Sequence, residues 1–106
     1  MSSTFEKRER AEEAKYARDA EVDFKVNAKR NKLLGLWAAE LIGLSGEEAE
    51  LFARQTVLAD FEEPGPEDVL RQVMKGLEDA NVRITEVEVR DKMEGLMKVA
   101  REQVES

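Results

Sequence analysis

Apolar residues recur at helical spacing along most of this chain, and they are densest in Leu33-Leu34-Gly35-Leu36-Trp37-Ala38-Ala39. Leu34, Trp37, Ala38 and Leu41 fall at i, i+3, i+4 and i+7, which makes one helical stripe. Leu33, Leu36 and Ile42 widen that stripe until the helix is apolar most of the way round, so other helices must surround it. The stretch before it reads differently. From Phe5 to Lys32 there is neither Gly nor Pro, and Ala, Glu, Lys and Arg dominate, so intrinsic helix propensity is high. Its apolar content is thin. Tyr16, Ala20, Phe24 and Ala28 form one narrow i,i+4 line, and before Tyr16 only Phe5 and scattered Ala remain. Glu6–Arg10 and Glu21–Lys25 are favourable i,i+4 pairs, whereas Glu9–Glu13 repel. Because isolated helices shorter than ~12–15 residues are marginal in water, Phe5 to Ala17 is predicted to fray when free while staying close to helical.

Turn chemistry divides the remainder. Gly43 is a natural stop for the first helix. Ser45-Gly46-Glu47-Glu48 has the form of a capping box with Glu48 at N3, and it opens a second helix. Ala49, Phe52, Ala53, Thr56, Val57, Ala59 and Phe61 give that helix a face of mostly small residues. It ends at Glu62-Glu63-Pro64-Gly65-Pro66, since a residue before Pro is pushed out of the α region. Pro66 at N1, followed by Glu67 and Asp68, starts a third helix. Its core line is Leu70, Val73, Met74 and Leu77, with Gly76 as a weak spot, and Asn81 caps its end. Val82-Arg83-Ile84-Thr85-Glu86-Val87-Glu88-Val89 resembles a strand, but its alternation changes phase halfway. Thr85 as N-cap with Glu88 at N3 is a second capping box, and Ile84 with Val89 forms a hydrophobic staple. A fourth helix therefore begins there, with Val89, Met93, Leu96, Met97, Ala100 and Val104 facing inward. The prediction is all-α: a four-helix up-and-down bundle with a flexible N-terminal arm, divided as residues 1–17 (arm) and 18–106 (bundle).

Composition narrows the chemistry. With 106 residues and no Cys or His, the chain is one small domain without disulfides, thiolates, Cys sites or the usual general base. No apolar run approaches the roughly 20 residues needed to cross a bilayer. The N-terminus lacks a signal peptide's apolar segment, so the expected location is cytosolic. Residues 1–32 hold nine basic and seven acidic side chains; residues 33–106 hold eight and seventeen. An acidic body with a slightly basic arm suits a protein partner rather than nucleic acid. No phosphate-binding, dinucleotide, zinc-protease, nucleophile-elbow or EF-hand motif occurs, so no enzyme and no cofactor are expected. Asp60, Glu62, Glu63, Glu67 and Asp68 could bring oxygens to a divalent cation, but they already serve as helix starts and surface charge. Lys25, Lys29, Arg30 and Lys32 gather where arm meets bundle, either as a solvated face or as contacts to an acidic surface or phosphate. Asn31, an amide beside an apolar run, implies a specific hydrogen bond or a turn of exposed helix. Trp37 reads as a core anchor, and Gly35 as a point of close helix–helix approach.

Several blocks together resemble a known family. They are Phe5, Arg8-Glu9-Arg10-Ala11-Glu12-Glu13-Ala14-Lys15-Tyr16-Ala17, Asp19, Glu21, Phe24-Lys25 and Asn31-Lys32-Leu33-Leu34-Gly35-Leu36-Trp37-Ala38-Ala39, then Asp60-Phe61-Glu62-Glu63-Pro64-Gly65 and Glu67-Asp68-Val69-Leu70. In that order they resemble the zeta subunit of alphaproteobacterial F-type ATP synthases, an inhibitor of ATP hydrolysis. Lys29 departs from the pattern, standing where a second Arg is expected, and Asp79 to Glu86 matches loosely. The resemblance implies a four-helix bundle with an inhibitory arm similar in role to that of the mitochondrial ATPase inhibitor protein. Such an arm enters an interface of the catalytic head (alpha, beta and gamma subunits), folds there and blocks rotation in the hydrolysis direction. The implied location is the cytoplasmic side of the membrane-bound enzyme, with no membrane insertion. Carried onto this chain, the arm is Phe5 through Ala17, with Asp19, Glu21 and Phe24 as its root; the partner-binding residues expected are Phe5, Arg8, Glu9, Arg10, Glu12, Glu13, Lys15, Tyr16, Asp19, Phe24, Lys25, Arg30 and Asn31. Phe5 and Tyr16 would be the anchors, and Arg8 and Arg10 the charged contacts. The alternatives are a protein-interaction adaptor that uses the bundle surface and, more remotely, a nucleic-acid or nucleotide module using Lys25 to Lys32.

Overall fold

The computed structural model describes the backbone of residues 2–62 and 65–105, and the side chains of residues 20–61 and 65–105. Four helices follow one another: α1 (Ser2–Ile42), α2 (Gly46–Glu62), α3 (Pro66–Asp79) and α4 (Glu86–Glu105). They form an up-and-down bundle around α1. Phe24 lies against Phe61 and Gly35 against Ala53 and Thr56, so α1 and α2 are antiparallel. Asp23 meets Arg101 and Trp37 meets Lys92, so α4 also runs opposite to α1. At 1.5 Å per residue the 41 residues of α1 measure roughly 60 Å, close to the molecule's 67 Å long dimension.

The helix ends follow local chemistry. Gly43 adopts φ 95°, which a side chain would oppose. From there Gly43 N–H donates to the Glu40 carbonyl at 3.1 Å and Leu44 N–H to the Ala39 carbonyl at 2.8 Å, closing α1 with a Schellman motif. Asn81 does the same for α3 at φ 60°: its N–H reaches Glu78 at 3.0 Å, and that of Val82 reaches Leu77 at 2.9 Å. Asn is the residue that tolerates this conformation best after Gly. The Thr85 box forms in both directions, with Thr85 N–H donating to Glu88 Oε2 at 3.1 Å and Glu88 N–H to Thr85 Oγ1 at 3.2 Å. Ile84 and Val89 both join the core cluster, so the staple forms too. Residues 82–85 are neither helix nor strand.

The Ser45 box does not form. Gly46 takes φ 58°, and that left-handed step carries the Ser45 hydroxyl away from the Glu48 amide. Gly76 is also not a weak spot. A Cβ there would lie 2.5 Å from the Phe52 ring and 3.6 Å from Ile42, so its bareness admits α2 and α1 against α3.

The core consists of Leu34, Ala38, Val69, Leu70, Val73, Leu77, Val89 and Met93, with Trp37, Ile42, Phe52, Met74 and Leu96 packed at its edge. Trp37 is only partly buried, covered by the Lys92 ammonium 5.7 Å above its ring. Leu41 is exposed rather than part of the buried stripe. The α1–α2 seam is the close one. A Cβ on Gly35 would sit 2.6 Å from Ala53 Cα and 2.9 Å from Thr56 Oγ1, so only Gly permits the approach. Thr56 is fully buried, and its hydroxyl is satisfied by the Phe52 carbonyl at 2.9 Å.

Candidate functional site: the root of the first helix

The fold directs attention to residues 20–32, where α1 enters the bundle. The buried line here is Val26, Arg30, Leu34 and Ala38, an i,i+4 series. The sequence reading favoured Ala20, Phe24 and Ala28 instead, and missed Val26. Both lines have the same period; only the placement of the other helices decides which of them faces inward.

Arg30 does not share the lysines' surface. It is 8% exposed, while Lys25 and Lys32 are exposed and Lys29 is half-buried. Its Nε donates to Asn31 Oδ1 at 2.7 Å. Burial pushes the guanidinium pKa down, and the negative charge of Asp60 opposes that shift. Asp60 also accepts a 3.2 Å hydrogen bond from Gly65 N–H, so it ties the α2–α3 connection together. Asn31 is completely buried, and its Nδ2 has no acceptor among the described residues. The Arg30 bond fixes the amide, because flipping it would set donor against donor. The specific hydrogen bond that Asn31 suggested is therefore present, but to a neighbour one residue away.

Phe24 is 55% exposed and packs against Phe61, itself 56% exposed, with ring centroids 5.5 Å apart and planes tilted by 58°. Lys25 pairs with Glu21 at 3.2 Å, as the spacing predicted. Asp23 pairs with Arg101 at 3.5 Å, fastening the far end of α4 to the root. The side chains of Phe5, Arg8, Glu9, Arg10, Glu12, Glu13, Lys15, Tyr16 and Asp19 lie outside the described residues; their backbone belongs to α1.

Of the acidic residues considered for a cation, Asp60, Glu67 and Asp68 are dispersed onto protein partners, and the side chains of Glu62 and Glu63 lie outside the described residues. Asp60 holds Gly65, Asp68 pairs with Arg71 at 3.4 Å, and Glu67 pairs with Arg90 at 2.8 Å. The hydrogen bond from Arg90 holds the Glu67 carboxyl below its usual pKa. Among the described residues no three acidic side chains cluster as metal ligands, and no helix is long and apolar enough to cross a membrane.

Comparison with known proteins bears on this arrangement. No curated protein matches the sequence. A solved structure, a solution NMR structure, is 54% identical; the match covers 76% of this chain and 92% of that one, with a TM-score of 0.66. A family model described as ATPase inhibitor subunit zeta matches residues 1–103, which takes in the whole of α1 and both sides of its root. The chain belongs to the family of ATPase inhibitor subunit zeta.

Proposed function

We propose that this regulatory, non-catalytic chain blocks ATP hydrolysis by inserting residues 1–17 into a catalytic interface of the F-type ATP synthase, while residues 18–106 hold them in place. The observation that carries this reading is the shape of α1. One helix spans Ser2–Ile42, yet the other three have only 14 to 20 residues with which to cover it. Its second half is packed on three sides by α2, α3 and α4. Its first half contains too few apolar residues to hold a partner helix of its own. Such a segment takes its final packing from another protein.

The partner is the catalytic head, with its alpha, beta and gamma subunits, on the cytoplasmic side of the membrane. Phe5 and Tyr16 are the anchors, and Arg8, Glu9, Arg10, Glu12, Glu13, Lys15 and Asp19 supply polar contacts. Ordering such a segment on binding costs ~2–5 kcal/mol of the gross interaction energy. That cost makes the arm responsive to whether the cleft is open.

The test is an ATPase assay of the cognate enzyme with the full chain and with a chain lacking residues 1–17, with helix content followed by circular dichroism. Inhibition is lost on deletion while residues 18–106 stay helical. Undiminished inhibition by the shortened chain would transfer the role to the bundle surface.

A further inference from the structure

We infer that the root of α1 carries a second docking surface for the same partner, one that receives an acidic protein surface. The inference rests on the reading above only for the identity of that partner. It is centred on Lys25, Lys29 and Lys32, beside the Phe24–Phe61 pair.

Three observations converge on it. First, the fold sorts the basic cluster. Arg30 is drawn inside, and Lys25, Lys29 and Lys32 remain at i, i+4 and i+7, which places them along one outer face of α1. Second, most of this charge is not spent on ion pairs among the described residues. Neither Lys29 nor Lys32 enters an ion pair among the described residues, and Lys25 has only the exposed Glu21 on its own helix. In a chain whose residues 33–106 hold eight basic and seventeen acidic side chains, Lys29 and Lys32, with Lys25 held only by an exposed pair, form a local field of opposite sign. Third, the two most exposed phenylalanines of the described residues meet there, Phe24 being the immediate neighbour of Lys25. Two half-exposed aromatic rings bordered by charge have the anatomy of an interface core with its polar rim. Complementarity of charge then selects the occupant: a carboxylate-rich surface. Because Phe24 and the lysines lie on the same unbroken helix as the arm, engagement there sets the rotation at which the arm meets its cleft.

The experiment uses the full chain and the isolated catalytic head of the cognate enzyme. Dissociation constants are measured across a range of salt concentrations, alongside inhibition at saturating chain. Lys29→Glu with Lys32→Glu is the main variant. The triple change of Lys25, Lys29 and Lys32 to Gln is a milder second one, since Lys29 is half-buried, and unfolding midpoints are recorded for both. The dissociation constant is expected to rise about tenfold or more, mainly through a slower association rate, with a weaker dependence on salt. Inhibition at saturation should be retained. Phe24→Ser should raise the dissociation constant with the salt dependence unchanged. A chain altered in the arm, Phe5→Ala with Tyr16→Ala, is expected to show the opposite split: inhibition falls while the salt-dependent part of binding persists. If both lysine variants fold and bind with unchanged affinity and salt dependence, the docking surface is overturned, whatever the arm variant does. If the lysine variants instead abolish binding to duplex DNA or to anionic vesicles at physiological salt and leave the catalytic head untouched, it is overturned in favour of that partner. An arm variant that inhibits normally, together with lysine variants that do not bind, would sink the arm reading and leave this surface standing.

Discussion

Two stretches of the same helix behave in opposite ways. Residues 33–42 of α1 bury Leu34, Ala38 and Ala39 completely and bring Gly35 against the backbone of α2. Residues 20–32, immediately before it, bury an arginine and an asparagine and leave a phenylalanine half in solvent. A helix shaped only for stability would bury Phe24 and expose Arg30. The inversion fits an upper stretch that anchors α1 and a root that, on the proposal above, is arranged around contacts made outside the bundle. The physical basis is that dry, close-packed contacts resist any change of volume, whereas a surface facing a partner keeps its large apolar groups accessible.

Predictions that would break or sharpen this contrast can be ranked. Leu34→Ala is expected to cost about 2–5 kcal/mol in unfolding free energy, through lost transfer energy and the cavity left behind. Phe24→Ala should cost less than about 1 kcal/mol, since half of that ring is already in water. Urea denaturation of the two variants decides the matter, and equal losses would erase the distinction. Gly35→Ala comes next, at about 1–3 kcal/mol, because the new methyl meets α2 backbone that no rotamer change can move. Its thermal midpoint should fall, and a neutral result would mean that the α1–α2 seam is looser than its geometry.

The polar pair gives a sharper reading of the root. Asn31→Ala removes the acceptor of Arg30 Nε and should destabilise by about 1–3 kcal/mol. Replacing both residues, Arg30→Met with Asn31→Leu, should be neutral or stabilising, because it removes a buried charge and an orphan donor together. If the double variant is as unstable as Asn31→Ala, the pair is a structural necessity rather than a cost carried at the root.

The smallest effect lies in the loosest part of the bundle, where Arg90 bridges Glu67 and Glu86 at 2.8 Å each. The carboxyl of Glu67 is held below its ordinary pKa by that hydrogen bond. A depressed carboxylate contributes stability that is complete above its unfolded pKa and disappears as the pH falls through the folded one. Glu67→Gln should therefore lower stability slightly at neutral pH, converge with the parent chain in acid, and so flatten the acid limb of the stability curve below about pH 4.5. Midpoints measured along a pH series would expose any other trend.

How much of this could be read from the amino acids alone depends on the range of the interactions involved. Gly43, Pro66, Asn81 and Thr85 marked four helix boundaries correctly, because each acts on hydrogen bonds within five residues of itself. The amphipathic lines of α3 and α4 were legible for the same reason, since a helix repeats its own pattern. What remained hidden were choices between equivalent local patterns. Val26–Arg30 and Phe24–Ala28 are both i,i+4 lines, Ser45 and Thr85 both head capping boxes, and Gly35 and Gly76 both interrupt a helix. In each case the deciding contact comes from another helix or from a backbone twist: Phe61 beneath Phe24, Phe52 against Gly76, the left-handed turn at Gly46. Local hydrogen bonding and periodicity determined where the helices begin and end. Only tertiary packing, in which two distant surfaces compete for the same volume, decided which face of α1 is buried and so which residues its root leaves exposed.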